Sequence, residues 1–207
     1  RDSDTIELSG HYDGSGTPIK INKAITINGN NAVLDAKSKS RIFEIKVTDS
    51  INKVFLNDIT FLNAKSAKNG GAVNGGTLNN CTFKKCVSDL KGGVASDAYL
   101  TKCTIISCHA DNGGALYLSS AKDTTFEDCY SVKYGGAIDE GNAYNCTFTN
   151  CNSGEDGGAI YKGHAEYSKF KDCKAGNSFK NDHGHDGGAI EEGWAKHCEF
   201  INCRADL

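Results

Sequence analysis

The chain has 207 residues, enough for one domain or one elongated repeat array. Its 23 basic and 26 acidic residues give a net charge of −3, which excludes the basic footprint that a nucleic-acid or anionic-membrane partner needs. No apolar run approaches the roughly 20 residues that span a bilayer, so nothing in this segment is expected to insert in a membrane.

Residues 1–23 are expected to form an N-terminal cap and leading strand, from Asp4-Thr5-Ile6-Glu7-Leu8 to Pro18-Ile19. Residues 24–69 follow as less regular coils. Ile25-Thr26-Ile27-Asn28-Gly29 and Val33-Leu34-Asp35 read as strand, turn and strand, and Ile42-Phe43-Glu44-Ile45 reads as another strand. Ile59-Thr60-Phe61 lies 22 residues ahead of Cys81-Thr82-Phe83.

From residue 70 to 207 the chain repeats. Gly-Gly followed by two small or aliphatic residues begins at Gly70, Gly92, Gly113, Gly135, Gly157 and Gly187, with spacings of 22, 21, 22, 22 and 30. A second element keeps phase with it. It runs through Cys81, Phe83 and Cys86, then Cys103, Ile105 and Cys108, then Thr124, Phe126 and Cys129. It continues through Cys146, Phe148 and Cys151, then Ser168, Phe170 and Cys173, and ends with Cys198, Phe200 and Cys203. Helical repeats are excluded because Gly-Gly, Thr and Asn break every unit.

Three short strands separated by bends would fill about 22 residues, which is one coil of a β-helix. The spacing predicts an all-β, right-handed parallel β-helix of about eight coils, with like side chains stacked at about 4.8 Å. Leu78, Leu100, Ala121, Ala143, Ala165 and Ala195 form an inward column. The Phe/Ile column and the two cysteine columns also face inward, with bends before each cysteine and a tight corner at each Gly pair. Ser or Thr replaces Cys in one column without loss of a partner, so the cysteines read chiefly as reduced, buried, small apolar ladder residues. Some disulfides remain an alternative, and metal ligation is a lesser one.

The candidate sites are few. Tyr117, Asp139, Tyr161 and Glu191 share the column after the Gly-Gly motifs, and Asp139 and Glu191 stand two coils apart, about 9.6 Å by strand spacing. Such a pair would suit an inverting glycosidase, although a solvated, salt-bridged face is the plainer reading. Tyr99, Tyr117, Tyr144, Tyr161 and Trp194 are candidates for stacking on sugar. The eight extra residues of the fifth interval make a loop over 177–186. Phe179 there is a candidate contact, and Asp182, His183, His185 and Asp186 are candidate metal ligands against the plainer reading of a polar loop. No cofactor is expected.

The Gly-Gly-Ala-Ile motifs at 135–138, 157–160 and 187–190, with Cys-Thr-Phe-x-x-Cys at 81–86, resemble the adhesin-like surface proteins of methanogenic archaea. They also resemble the Gly-Gly-Ala-Ile repeats of chlamydial polymorphic outer-membrane proteins, with Phe-x-x-Cys here in place of Phe-x-x-Asn. The stretch from Thr5 through Ile25-Thr26-Ile27-Asn28-Gly29 to Arg41-Ile42-Phe43-Glu44-Ile45 is similar to the opening of pectate-lyase-like folds. The resemblance implies an extracellular, cell-surface binding module, a monomeric segment of a larger chain, whose partner is a glycan or protein of another cell. A polysaccharide lyase or glycoside hydrolase on the same fold and a passive envelope stalk are the alternatives.

Overall fold

The computed structural model describes residues 4–176 and 186–206. They form a right-handed parallel β-helix of about eight turns. Each regular coil carries four short strands, where the period led us to expect three. We number the walls in chain order. Wall 1 stacks Val73–Asn74, Ala95–Ser96, Leu116–Tyr117, Ile138–Asp139, Ile160–Tyr161 and Ile190–Glu191. Wall 2 stacks Thr77–Asn79, Tyr99–Thr101, Ser120–Lys122, Asn142–Tyr144, His164–Glu166 and Trp194–Lys196. Wall 3 holds the Phe/Ile column and begins its regular rungs at Thr82–Lys84. Wall 4 begins with Lys65–Ser66 and Val87–Ser88. The long strands Ile25–Asp35 and Val54–Leu62 run through walls 2 and 3 and make them one sheet. Asp4–Glu7 and His11–Asp13 pair with Ile25–Asp35 as the first rung.

The extra wall is possible because each bend uses a single left-handed residue. Asn80, Lys102, Asp123, Asn145, Tyr167 and His197 turn the chain between walls 2 and 3, all with φ between 50° and 55°. Lys85, Ser107, Asp128, Asn150, Asp172 and Asn202 do the same between walls 3 and 4. Asn and Asp tolerate this conformation best. Stacked bends also bond to one another: Asn145 Nδ2 donates to Asp123 Oδ1 at 2.7 Å and Asn150 Nδ2 to Asp128 Oδ1 at 2.6 Å.

The core is a set of ladders. Phe126, Phe148 and Phe170 are fully buried, with centroids 4.7 Å apart and planes within 6°. Phe61 and Phe83 stack at 4.6 Å, and Ile105 separates the two aromatic runs. At the Gly-Gly corner both following residues are buried, as Ala137 and Ile138 show, because their two amides donate to one carbonyl, that of Ala159, at 2.9 Å.

The cysteines are all free thiols, and they do more than fill space. Cys81 Sγ donates to the carbonyl of Asn79 at 3.3 Å, and Cys103 Sγ to that of Thr101 at 3.4 Å. Thr124 and Ser168 place a hydroxyl in the same spot and donate at 2.9 Å to the carbonyls of Lys122 and Glu166. The position selects a small side chain carrying a donor, since the left-handed bend beside it turns a buried carbonyl off the ladder. The reading of these residues as merely apolar is therefore corrected.

Candidate functional site

The structure divides the candidates between two surfaces. Tyr117, Asp139, Tyr161 and Glu191 lie in register on wall 1, Asp139 and Glu191 flanking Tyr161. Trp194 stands on wall 2. Phe179, Asp182, His183 and His185 lie outside the described residues. Asp186 is exposed, and its amide donates to Asp156 Oδ1 at 3.1 Å.

Wall 1 meets the column that precedes each Gly-Gly, and the two converge across the corner. Lys91 Nζ sits 4.1 Å above the Tyr117 ring and 3.3 Å from Asp139 Oδ2. The Asp139 side chain is only 2% exposed. This corrects the expectation of a solvated carboxylate face at that position. Burial raises the Asp139 carboxyl above its ordinary range, and Lys91 offsets this only partially. Burial weakens the hold of Lys91 on its proton, but the Asp139 carboxylate and the Tyr117 side chain together more than restore it. One coil further, Tyr134 and Tyr161 stack at 4.6 Å, and the Tyr161 hydroxyl donates to Glu192 Oε1 at 2.7 Å. Lys91 and Tyr134 escaped sequence reasoning, although both occupy the residue before a Gly-Gly pair.

On wall 2 the residues alternate in and out. Ala121, Ala143 and Ala165 point into the core and keep the wall flat. The outward column reads Tyr99, Ser120, Asn142, His164, Trp194, with aromatic rings at its ends and small polar residues in the middle. The result is a shallow trough of about 290 Å³, floored by Ser120 and Asn142 and flanked by Tyr144 and Glu166. Trp194, 46% exposed, lies on the His164 ring at 4.6 Å. Tyr144 packs edge-on against Tyr167 at 5.4 Å, and Tyr167 stacks on His197 at 5.0 Å. Tyr99 and Trp194 are four rungs apart, about 19 Å. His164 was missed because only the register reveals that it underlies Trp194.

Among the described residues, the group with metal-ligating geometry is His11, Asp13 and Asp35, whose ligand atoms lie within 4.8 Å of one another. The protein's own ammonium group sits in this cluster. Lys37 Nζ sits 3.0 Å from both Asp13 Oδ1 and Asp35 Oδ2. Burial alone would raise the Asp35 carboxyl, but donors from Asn63 and from the amide and ammonium of Lys37 outweigh it and hold it at about 2. A carboxyl lowered on folding stabilises the fold above its unfolded value of 3.8 and loses that contribution as pH falls towards 2. We expect acid denaturation between those values to lose about 1–2 kcal/mol of pH dependence in Asp35→Asn, read from urea midpoints against pH. An unchanged acid limb would rule this out.

No protein-family profile matches the chain, and no curated protein is similar to it. In structure it is similar to a point mutant of the PL6 family alginate lyase AlyGC, with a TM-score of 0.43 and 11% identity. The match covers 99% of this chain and 36% of that one, so the chain spans about a third of the length of that enzyme.

Proposed function

We propose that the chain is a glycan-binding module of an extracellular, cell-surface protein, and that wall 2 holds its ligand. The observation that carries this is the trough between Tyr99 and Trp194. Exposed rings present apolar faces to the apolar faces of pyranose sugars, and Asn142, His164 and Glu166 supply hydrogen-bonding groups beside them. A run of about 19 Å offers room for several sugars in line. The walls are ladder-bonded β-sheet, so the groove is formed before ligand arrives and little ordering entropy is lost on binding. The module acts as a monomeric segment of a larger chain and meets glycan on another cell or surface.

Titration calorimetry against soluble wall and mucosal polysaccharides tests this. Trp194→Ala should weaken binding by about tenfold or more, as removal of a central aromatic anchor does. Tyr117→Ala, on wall 1, should leave binding unchanged. The opposite pattern would place the ligand elsewhere and end this assignment.

Turnover is the second reading, favoured by Asp139, a buried carboxyl displaced upward beside Tyr117 and Lys91. Release of unsaturated or reducing ends from uronate polymers, abolished by Asp139→Asn, would establish it. Binding without product release would remove it.

A further inference from the structure

Two residues that the repeat does not require meet across the Gly-Gly corner in mid-rod. Asp139 stands in a wall 1 column otherwise filled by Asn74, Ser96, Tyr117, Tyr161 and Glu191, so the rung folds without an aspartate there. Lys91 is the one lysine in the column before the Gly pairs, which elsewhere reads Asn69, Asn112, Tyr134, Asp156 and Asp186. It bridges to Asn112 of the next coil, and the amide of Gly113 donates to Tyr134 in the coil that carries Asp139. Lys91 and Asp139 are therefore two coils apart. The lysine side chain runs diagonally over the Tyr117 ring and brings Nζ within 3.3 Å of Asp139 Oδ2. Glu140 Oε1 lies 3.9 Å from the same nitrogen.

An ammonium beside a carboxylate on a wet surface stays an ion pair, because water solvates both charges. Asp139 is not on a wet surface. Its side chain is the most enclosed carboxylate of the described ion pairs. Enclosure removes that solvation, and condensation of the two groups to a neutral amide removes both charges. Groups held in contact by a rigid frame reach effective molarities of about 10⁵–10⁸ M. Burial also displaces the Asp139 carboxyl towards its protonated form, whose carbon an amine attacks more readily than that of a carboxylate. Asp35, the next most enclosed, differs. Asn63 Nδ2 at 2.9 Å and the Lys37 amide at 2.8 Å hold it as a carboxylate.

We propose that Lys91 and Asp139 condense to an intramolecular amide, with Glu140 relaying the proton. The resting lysine is an ammonium and passes one proton to Glu140. The freed lone pair attacks Cγ of Asp139, a C–N bond forms and a C–O bond breaks. The two protons lost by nitrogen leave with one carboxyl oxygen as water, Glu140 having returned the one it took. Charges of +1 and −1 become a neutral amide, and no oxidant or co-reactant is needed. The bond staples two coils across the one between them. It also consumes the carboxyl that turnover would need, so the amide and the catalytic reading of Asp139 exclude one another.

The test is the intact mass of the chain, incubated folded at neutral pH and then denatured. The wild type should weigh less by one water, and a digest should contain a branched peptide joining the Lys91 and Asp139 segments. Lys91→Arg keeps a cation over Tyr117, but its guanidinium does not condense. It should show the full mass and a lower thermal midpoint. Glu140→Gln should form the bond about a hundredfold more slowly, the scale of a lost proton relay. A wild type of full mass would overturn the proposal. So would a water deficit that persists in Lys91→Arg, since that marks a cyclic imide elsewhere in the chain. An unchanged rate in Glu140→Gln would overturn the relay.

Discussion

Phe148→Ala should cost the fold about 3–5 kcal/mol, near the upper end of what one core truncation removes. The ring is fully buried between Phe126 and Phe170, 4.7 Å from each, with planes 6° and 1° from theirs. The substitution removes the transfer free energy of the ring, two stacking contacts worth about 0.5–1.5 kcal/mol each, and leaves a cavity. Relaxation cannot fill it. Both neighbouring rings are fixed by strands paired in register, Thr125–Glu127 with Thr147–Thr149 and Thr147–Thr149 with Lys169–Lys171. Urea unfolding followed by circular dichroism measures the loss. A solenoid contains only near-neighbour contacts, so the cavity should also weaken cooperativity between the halves of the rod. Phe200→Ala is the comparison, since that ring is 48% exposed and stacks on one side only, at 5.0 Å from Phe170. It should cost clearly less. Equal costs would mean that neither the fuller burial of Phe148 nor its second stacking contact adds stability.

The ladders were legible because a repeat writes the same side chain onto the same wall every 22 residues or so, and burial then follows from the column. The fourth wall was hidden for a physical reason. The bends before the two cysteine columns were expected, but the one between walls 1 and 2 was not, and there the left-handed residue is Asp97, Leu118, Glu140, Lys162 or Glu192. Pairing to the coils above and below holds the conformation whatever the side chain is, so local composition carries little signal. The candidate sites were legible by column and not by neighbourhood. Tyr117 and Tyr161 fell into one column, but Lys91 reaches Asp139 across 48 residues of chain, and no periodicity places an ammonium there. Trp194 was one of five stacking candidates that the sequence did not assign to walls, and it lies only three residues after Glu191 of wall 1. A single left-handed residue between them, Glu192 at φ 47°, turns it onto another wall.

The Gly pairs give the other large effect and distinguish two reasons for glycine that sequence alone merges. Gly135 has φ +59°, a conformation that L side chains rarely adopt. Gly136 does not, so its backbone would accept any residue, yet a Cβ there would lie 2.2 Å from the Gly158 carbonyl oxygen and 2.6 Å from the Asn152 backbone. All of these atoms are main chain, held by the ladder, and cannot swing aside as a side chain would. The same approach recurs at Gly114, 2.1 Å from the Gly136 carbonyl oxygen, and at Gly158, 2.2 Å from that of Gly188. Gly136→Ala should therefore force neighbouring coils apart at the corner and cost more than about 3 kcal/mol, the upper end of overpacking penalties. In hydrogen exchange, amides of coils 113–134 and 157–176 should lose protection together, because the displaced carbonyls bond to both neighbours. Gly10→Ala is the matched control: its φ of +89° is equally left-handed, but nothing lies within 4 Å of a Cβ there. It should cost only the conformational penalty, about 1–2 kcal/mol. If Gly136→Ala cost no more than Gly10→Ala, the close approach would be too weak to reserve the second position for glycine, and the account of the corner as a backbone-to-backbone contact would be wrong.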